Sequence, residues 1–510
     1  MNRTLNRIIA ALGSRRFFRI TLGLFLFEAA WIACSAVYPQ AFDENFHFGL
    51  IQIYSHHWLP FLTSQPAHAN AYGAVARDPS YLYHYLMSFP YRLIALFIHG
   101  RTGQVIALRL INIGLFGVGL WLFRRVLLRV GSSRALTNVI LFLFVLIPIV
   151  PQLAGQINYD NLLLPLVAGV CLLTFRVADA LRQKWPSARD IIILASVCLL
   201  GSLVKYAFLP IFVGVVVFVG CVAYKNFRGT TKNLRRQIGK SWSQESRLAK
   251  ALLVVVLLVS FGMFMQRDGV NLITYHAIEP NCDAVLNVKD CSVYSPWDYN
   301  YHQHREVVRH AATIHFDNPI KYVGEWLYWM WYRLFFAING PEHSFTNYPP
   351  LPLPSAAAAL LGIAGSAAVM LYWRRLFRNN AYLTFLFLIS GLYLAALMAQ
   401  GFSTYHYTNV LENMNGRYLL PVLLPVAVVG GRALSLALRR MPQAKVWLAG
   451  LSIVFFLQGG GLLTFIARSN KTWDWPTSAV IHVNNAARHM TDPLLINGKE
   501  TYDTYLWFFN

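Results

Sequence analysis

Charge is what this 510-residue sequence has least of: 13% of its residues are charged, with 22 Asp and Glu against 44 Lys and Arg. Because 56% are hydrophobic, a disordered chain, a collagen-like chain and an ordinary soluble domain are all excluded. Cysteine is scarce too. The six present form no C-x-x-C pair and no H-E-x-x-H run occurs, so neither a disulfide scaffold nor a common zinc motif is available. No heptad, solenoid period or low-complexity tract appears.

What is present is apolar length. At ~1.5 Å per helical residue, ~30 Å of hydrocarbon takes ~20 residues. Runs near that length occur at 17–37, 104–123, 135–151, 161–175, 191–204, 206–224, 251–266, 353–373, 381–399, 418–438 and 446–466. They predict an all-α polytopic membrane protein with eleven crossings. With Met1 on the cytoplasmic side, the inside segments carry 26 Lys and Arg in 82 residues and the outside segments 14 in 223. Carboxylates split the other way, 18 of 22 falling outside. The net charge of +22 is therefore a topology signal under the positive-inside rule, and no nucleic-acid partner is expected.

This reading divides the chain into a transmembrane domain, 1–466, and a short outside tail, 467–510, with large outside loops at 38–103 and 267–352. The stretch Tyr81 to Ile98 is apolar enough to span, yet counting it would turn Arg124, Arg125, Arg129 and Arg134 outward. It is expected to be an interfacial helix. At the N-terminus, Trp31-Ile32-Ala33-Cys34 faintly resembles a lipoprotein cleavage site, but the longer apolar run predicts an uncleaved signal-anchor. Trp326, Tyr328, Trp329, Trp331 and Tyr332 predict an aromatic belt on a second interfacial helix, the alternative being a sugar-stacking platform. Cys282 and Cys291 share the long outside loop, where an oxidising compartment permits a disulfide closing a hairpin.

Candidate chemistry gathers on the outside. Just beyond the first crossing, Phe42-Asp43-Glu44-Asn45-Phe46-His47-Phe48 sets two carboxylates and an imidazole at the membrane surface. On a helix Glu44 and His47 share a face, suited to orienting a base or binding a divalent metal, although acids at a helix start are also commonplace. Arg77-Asp78-Pro79-Ser80-Tyr81-Leu82-Tyr83-His84 leads into the interfacial helix, with Asp78 as its expected N-cap and Arg77 able to face a phosphate. Asp160 precedes a crossing predicted to be short, so it is expected below the membrane surface, where an acid needs a cavity or a partner. Asn158 and Asn161 are possible structural partners. Lys205 stands in a hairpin turn of the same depth, either snorkelling or facing an anionic headgroup or Asp160. Glu28 lies in the first crossing with no identified partner. Finally Asn413-Met414-Asn415-Gly416-Arg417-Tyr418-Leu419-Leu420-Pro421 opens a crossing from the outside. Free N–H groups, a glycine permitting close approach and an Arg with five donors suit a phosphate there.

Asp43-Glu44-Asn45-Phe46-His47-Phe48, read as D-E-x-x-H-F, and Gly416-Arg417-Tyr418-Leu419-Leu420-Pro421, read as G-R-Y-x-x-P, resemble motifs of the GT-C superfamily of polyprenyl-phosphate-sugar-dependent glycosyltransferases. The chain is most similar to a bacterial multipass family of that orbit, over residues 15–466, with weaker echoes at Asp78 to Tyr85, Asn158 to Asp160 and Lys205. It lacks the proline before Asp43 and has Arg-Asp-Pro in place of basic-Pro-Pro. The resemblance implies a GT-C-like bundle in a bacterial cytoplasmic membrane with its active site facing the exterior. The donor would be a polyprenyl-phosphate-linked sugar and the acceptor a glycan, lipid or protein. Asp43 or Glu44 would be the base, joined by Asp160, with Arg417, Tyr418, Arg77, Asp78, His84, Lys205 and His47 contacting substrate. A lipid-linked sugar transporter, an oligosaccharide ligase or polymerase using diphosphate-linked lipid, and a membrane scaffold are the competing readings.

Overall fold

A computed structural model of the chain describes residues 3–40, 42–62, 64–228, 231–335, 351–412, 414–469 and 471–495. Residues 496–510 of the expected tail, 336–350 of the long outside loop, and Asn413 lie outside the described residues.

Among the described residues the secondary structure is helical, apart from one isolated bridge between Ala36 and Asp474. Nine helical segments among the described residues are long and apolar enough to cross a membrane: Arg15–Ser35, Arg101–Arg129, Asp160–Arg182, Tyr206–Phe227, Arg247–Tyr275, Pro352–Phe377, Ala381–Thr408, Gly416–Ala437 and Pro442–Arg468. The chain is therefore a multipass membrane protein. The remaining two predicted crossings are shorter helices. One is Ala188–Val204; the other is Arg134–Val145, resumed after Pro148 as Ile149–Ala154.

Helix starts follow local capping chemistry. Ser14, Ser133, Ser187, Ser246 and Asn380 each accept a hydrogen bond from the backbone N–H three residues on, at 3.0–3.2 Å. These caps all lie in segments read as inside, each turning the chain back into an apolar run. Helices nevertheless outlast their apolar runs. Asp160–Arg182 has 23 residues, ~34 Å, against the ~22 Å expected from its apolar part, because Arg176, Asp179 and Arg182 continue it as good helix formers or surface groups.

Arg101–Arg129 packs along Asp160–Arg182, Leu209–Phe227 along Ala381–Thr408, and Pro352–Phe377 along Leu420–Ala437. Phe116 lies between Phe25 and Phe144 in a buried stack, with ring centroids 5.2 and 6.3 Å away. Two helices are broken at one level. Pro148 interrupts one, while Gly459 and Gly461, with positive φ, interrupt the other before it resumes as Leu462–Arg468. The Gly461 N–H donates to the Leu146 carbonyl at 2.7 Å. A Cβ at Gly461 would lie 2.3 Å from Glu28 Oε1, so glycine is required for both conformation and space. Glu28 thus gains a partner there, its Oε1 accepting from Leu462 N at 3.4 Å.

In the first loop, Glu44–Ser55 and Leu82–Phe97 pack as a pair. Arg92 caps the end of the former, donating to the carbonyls of Ser55, Tyr54 and His57. Asp78 is not the expected N-cap: its carboxylate accepts from Ser80 N at 2.8 Å, closing a local turn, and the helix begins only after Tyr81. A π-turn at Met265–Gly269 delivers buried Arg267 to the Val75 and Ala76 carbonyls, and Asn271 donates to Arg77 O at 2.8 Å. These bonds clamp the 75–78 segment. Cys282 and Cys291 are disulfide-bonded, with Cα atoms 5.8 Å apart, and pack with Trp297 against Ala74. The aromatic helix Pro319–Phe335 buries Tyr322, Trp326 and Met330 against Tyr405 and Met414, so this stripe packs within the protein. Residues 471–495 fold back on the first crossing through Val37 N to Trp473 O, Trp475 N to Ser35 O, and Trp31 Nε1 to Asn484 Oδ1.

Candidate functional site

The two motifs, 374 residues apart, meet. Arg417 Nη2 donates to Asp43 Oδ2 at 2.6 Å, and Nη1 donates to the Phe42 carbonyl at 2.7 Å. Asn158 Nδ2 donates to that same carbonyl at 3.0 Å, and its Oδ1 accepts from Asp160 N at 3.0 Å. These contacts hold Phe42 and Asp43 in consecutive left-handed conformations, φ 69° and 65°, which bulky non-glycine residues adopt only when their surroundings enforce it. The consequence is positional. The Asp43 side chain is 57% exposed, whereas that of Glu44, one residue on, is completely buried.

Glu44 has a different task. Its carboxylate receives Arg109 Nε and Nη2 at 2.8 and 2.7 Å, Gln40 N at 2.8 Å and Ile157 N at 3.1 Å. Arg109 also donates to the carbonyls of Ala33 and Ala36 at 3.0 and 2.6 Å. With its acceptor sites filled, Glu44 ties the first crossing, the first loop and the second outside loop together. Arg109 was missed in the sequence, although a cation amid an apolar run was its signal.

A second ion pair adjoins the first. Lys205 Nζ lies 2.7 Å from Asp160 Oδ1, and both side chains are buried. Lys205 is placed by extended backbone that separates Ala188–Val204 from the short turn Tyr206–Phe208. Its ammonium lies 4.5 Å from the Tyr159 ring and 4.9 Å from the Tyr418 ring. The Arg417 guanidinium lies 5.0 Å from the same Tyr418 ring, whose hydroxyl accepts from Arg417 at 3.2 Å. One phenol therefore joins two cations, an arrangement favoured by the ring's negative face. Gly416 allows close approach, but to protein: a Cβ there would meet Leu334 N at 2.5 Å and Arg333 O at 2.8 Å. The turn thus docks on the aromatic helix, and the Arg417 side chain, not a bare helix end, faces Asp43.

The two imidazoles face each other. His47 Nδ1 and His84 Nε2 are 2.8 Å apart, and both rings are buried, pinning the two first-loop helices together. Burial pushes His47 well below the ordinary histidine range, as do the neighbouring His84, Arg417 and Lys205; burial takes His84 down to about 3. Arg77 is half-buried, and no hydrogen bond or ion pair joins its guanidinium to the Asp43–Arg417 pair among the described residues. Asp78 is raised above the ordinary carboxylate range by burial, against the Ser80 N–H and Arg267, which lower it.

Other groups around Asp43 were not legible in the sequence. Burial raises the Tyr294 phenol, and the surrounding charges of Asp43, Glu279 and Asp78 raise it further. Solvent reaches Glu279, yet protein encloses it enough that desolvation pushes its carboxyl up to about 7, with Tyr206 as hydrogen-bond partner. Tyr206 in turn accepts from Gln400 Nε2 at 2.5 Å. The disulfide-closed hairpin carries Tyr294 to Phe46, with ring centroids 6.2 Å apart, and so forms one wall beside Asp43.

The donor set does not suit a divalent metal. Glu44 is saturated, Asp43 faces Arg417, Asp160 faces Lys205, and among the described residues no group of three His, Cys, Asp or Glu side chains is arranged around a common point. The combination offers an exposed carboxylate, two cations with unused donors and an aromatic surface. Among the described residues Arg417 Nε has no hydrogen-bond partner, and Lys205 has an ammonium with three donors, one of them on Asp160. Such a set can accept a proton beside a phosphate. The chain matches no protein-family model and no curated protein.

Proposed function

We propose that this membrane protein transfers a sugar from a polyprenyl-phosphate-linked donor to an acceptor at the outer face of a bacterial cytoplasmic membrane. It spans that membrane eleven times with its N-terminus inside. The observation that carries the reading is the contact between Asp43 and Arg417, each from one of the two motifs, beside Lys205.

Asp43 accepts the proton of the acceptor hydroxyl as that oxygen bonds to the anomeric carbon; the carbon–phosphate oxygen bond breaks and polyprenyl monophosphate leaves. Arg417 orients Asp43 through one nitrogen, and its remaining donors, with Lys205, stabilise the charge that develops on phosphate. One base and one displacement give an inverting transfer. Asp160 holds Lys205, Tyr418 spaces the two cations, and Asp78, Tyr294 and Glu279 line the approach. Catalysis by Asp43 predicts that Asp43→Asn is folded but inactive; full turnover in that variant removes the assignment.

Transport of a lipid-linked sugar is favoured by one observation, the two broken helices meeting at Gly461 and Leu146. It predicts movement of labelled lipid across proteoliposomes with no sugar transferred. Release of polyprenyl monophosphate coupled to acceptor glycosylation decides for the transferase.

A further inference from the structure

The inside segment with the most positive charges lies far from Asp43. Residues 225–250 hold eight Lys and Arg against a single acid, Glu245. Part of this stretch forms the helix Thr231–Gln244, which carries Lys232, Arg235, Arg236 and Lys240 and no carboxylate. Leu234 packs this helix on the bundle, and Ser241 Oγ accepts from Ala188 N at 3.1 Å, anchoring it beneath the start of Ala188–Val204. A helix basic on one side and apolar on the other lies in a membrane interface.

Beside that helix is a cleft of about 300 Å³. Lys184, Arg236 and Lys240 provide its charge, with Asn226, Asn233 and Gln237 between them. Lys184 adopts φ 57° just past the end of Asp160–Arg182, so the cleft and Asp160 lie at opposite ends of one 23-residue helix, ~34 Å apart along its axis. Among the described residues none of the three cations pairs with a carboxylate; the nearby acids Asp179 and Asp190 are engaged by Arg129, Arg182 and Arg176. Among the described residues Gln237 Oε1 also has no hydrogen-bond partner, an acceptor awaiting a donor. Three like charges converging on one space call for an anion, and an unused acceptor calls for a hydroxyl.

We infer that this cleft binds the headgroup of an anionic glycerophospholipid in the leaflet opposite the Asp43 site, its phosphate on Lys184, Arg236 and Lys240 and a glycerol hydroxyl on Gln237. A lipid fits better than free phosphate because exposed Trp185 and Tyr224 lie one and two residues along the chain from the lining residues Lys184 and Asn226, at the ends of apolar helices, as interfacial aromatics do. The inference needs only a membrane-spanning chain and is independent of the proposed transfer reaction.

The test is thermal stabilisation of the purified full chain in detergent by phosphatidylglycerol, phosphatidylcholine and inorganic phosphate at matched concentrations. Phosphatidylglycerol should raise Tm dose-dependently and the other two should not, the effect fading with added salt. Arg236→Gln with Lys240→Gln should weaken the response at least tenfold. Lys232→Gln with Arg235→Gln removes the same charge from the same helix but outside the cleft, and should retain it. Equal loss in both double variants would overturn the cleft in favour of diffuse attraction. Equal response to phosphatidylcholine, or to inorganic phosphate, would overturn a headgroup-specific lipid site. Stabilisation by polyprenyl monophosphate reports on Arg417 separately and should be unchanged in either double variant.

Discussion

The two ends of the helix Asp160–Arg182 treat charge in opposite ways. At its start, Asp160–Lys205 and Glu44–Arg109 are buried one to one, and Arg417 is buried against half-exposed Asp43. At its far end, Asp179 is shared by Arg129 and Arg182, Arg176 reaches Asp190 only at 4.0 Å, and the cations of the cleft are left over. Burial removes water as a partner, so each charge at the first end requires a protein counter-charge; exposure removes that requirement at the second. Pairing therefore marks where the chain is built around charge, and excess marks where charge stays in contact with its surroundings.

The sharpest way to break this contrast is to unpair Glu44. Arg109→Leu leaves a buried carboxylate uncompensated and should destabilise the protein by about 3–5 kcal/mol, read as a fall in Tm or loss of folded protein; the double change with Glu44→Gln should recover part of it. Next in size, Asp43→Asn should lower glycosyl transfer by about 10²- to 10⁴-fold, with a smaller melting loss than Arg109→Leu because solvent reaches Asp43 and the asparagine keeps an oxygen that accepts from Arg417. A melting loss as large as that of Arg109→Leu would show that the two neighbouring acids share one structural role. Third, polyprenyl monophosphate at 100 times its dissociation constant should stabilise the wild type by about 2.7 kcal/mol and Arg417→Ala hardly at all. Stabilisation by a diphosphate carrier alone would point instead to a ligase or polymerase.

Acid should act through the histidine pair. The unfolded chain takes up protons near pH 6.5, but burial holds His84 down to about 3 and His47 well below 6.5, His47 being lowered further by His84, Arg417 and Lys205. Their contribution to stability is complete above pH 6.5 and is lost as pH falls below it, by about 1 kcal/mol per ring over the first pH unit. His84→Phe should flatten the dependence of Tm on pH between 6.5 and 5.5. Smallest of all, Arg176→Gln at the exposed end should change stability by no more than ~0.5 kcal/mol. A loss of several kcal/mol there would remove the distinction between the two ends.

Membrane spans were readable because hydrocarbon demands long apolar runs whatever the rest of the fold does. The crossings of Arg15–Ser35 and Pro352–Phe377 lie close to the expected 17–37 and 353–373. Their ends were less readable, as Asp160–Arg182 shows: a helix continues through polar residues once its backbone bonds are satisfied. Within the site, the sequence singled out Asp43, Asp160, Lys205 and Arg417 because charge near a membrane is costly and hence informative. Glu279 carried no such signal in a polar loop, and its partner Tyr206 is 73 positions away.

By itself the sequence determined the membrane class, the uneven division of charge between alternate loops and the residue types available for chemistry, because these follow from transfer costs that each segment bears alone. Only the tertiary structure decided which of two adjacent acids is exposed. Left-handed backbone at Asp43, held by Arg417 and Asn158 from distant parts of the chain, turns one carboxylate outward while Arg109 retains the next inside. The pairing of the two histidines was likewise decided there, since burial and partnership are properties of contacts that no single segment contains.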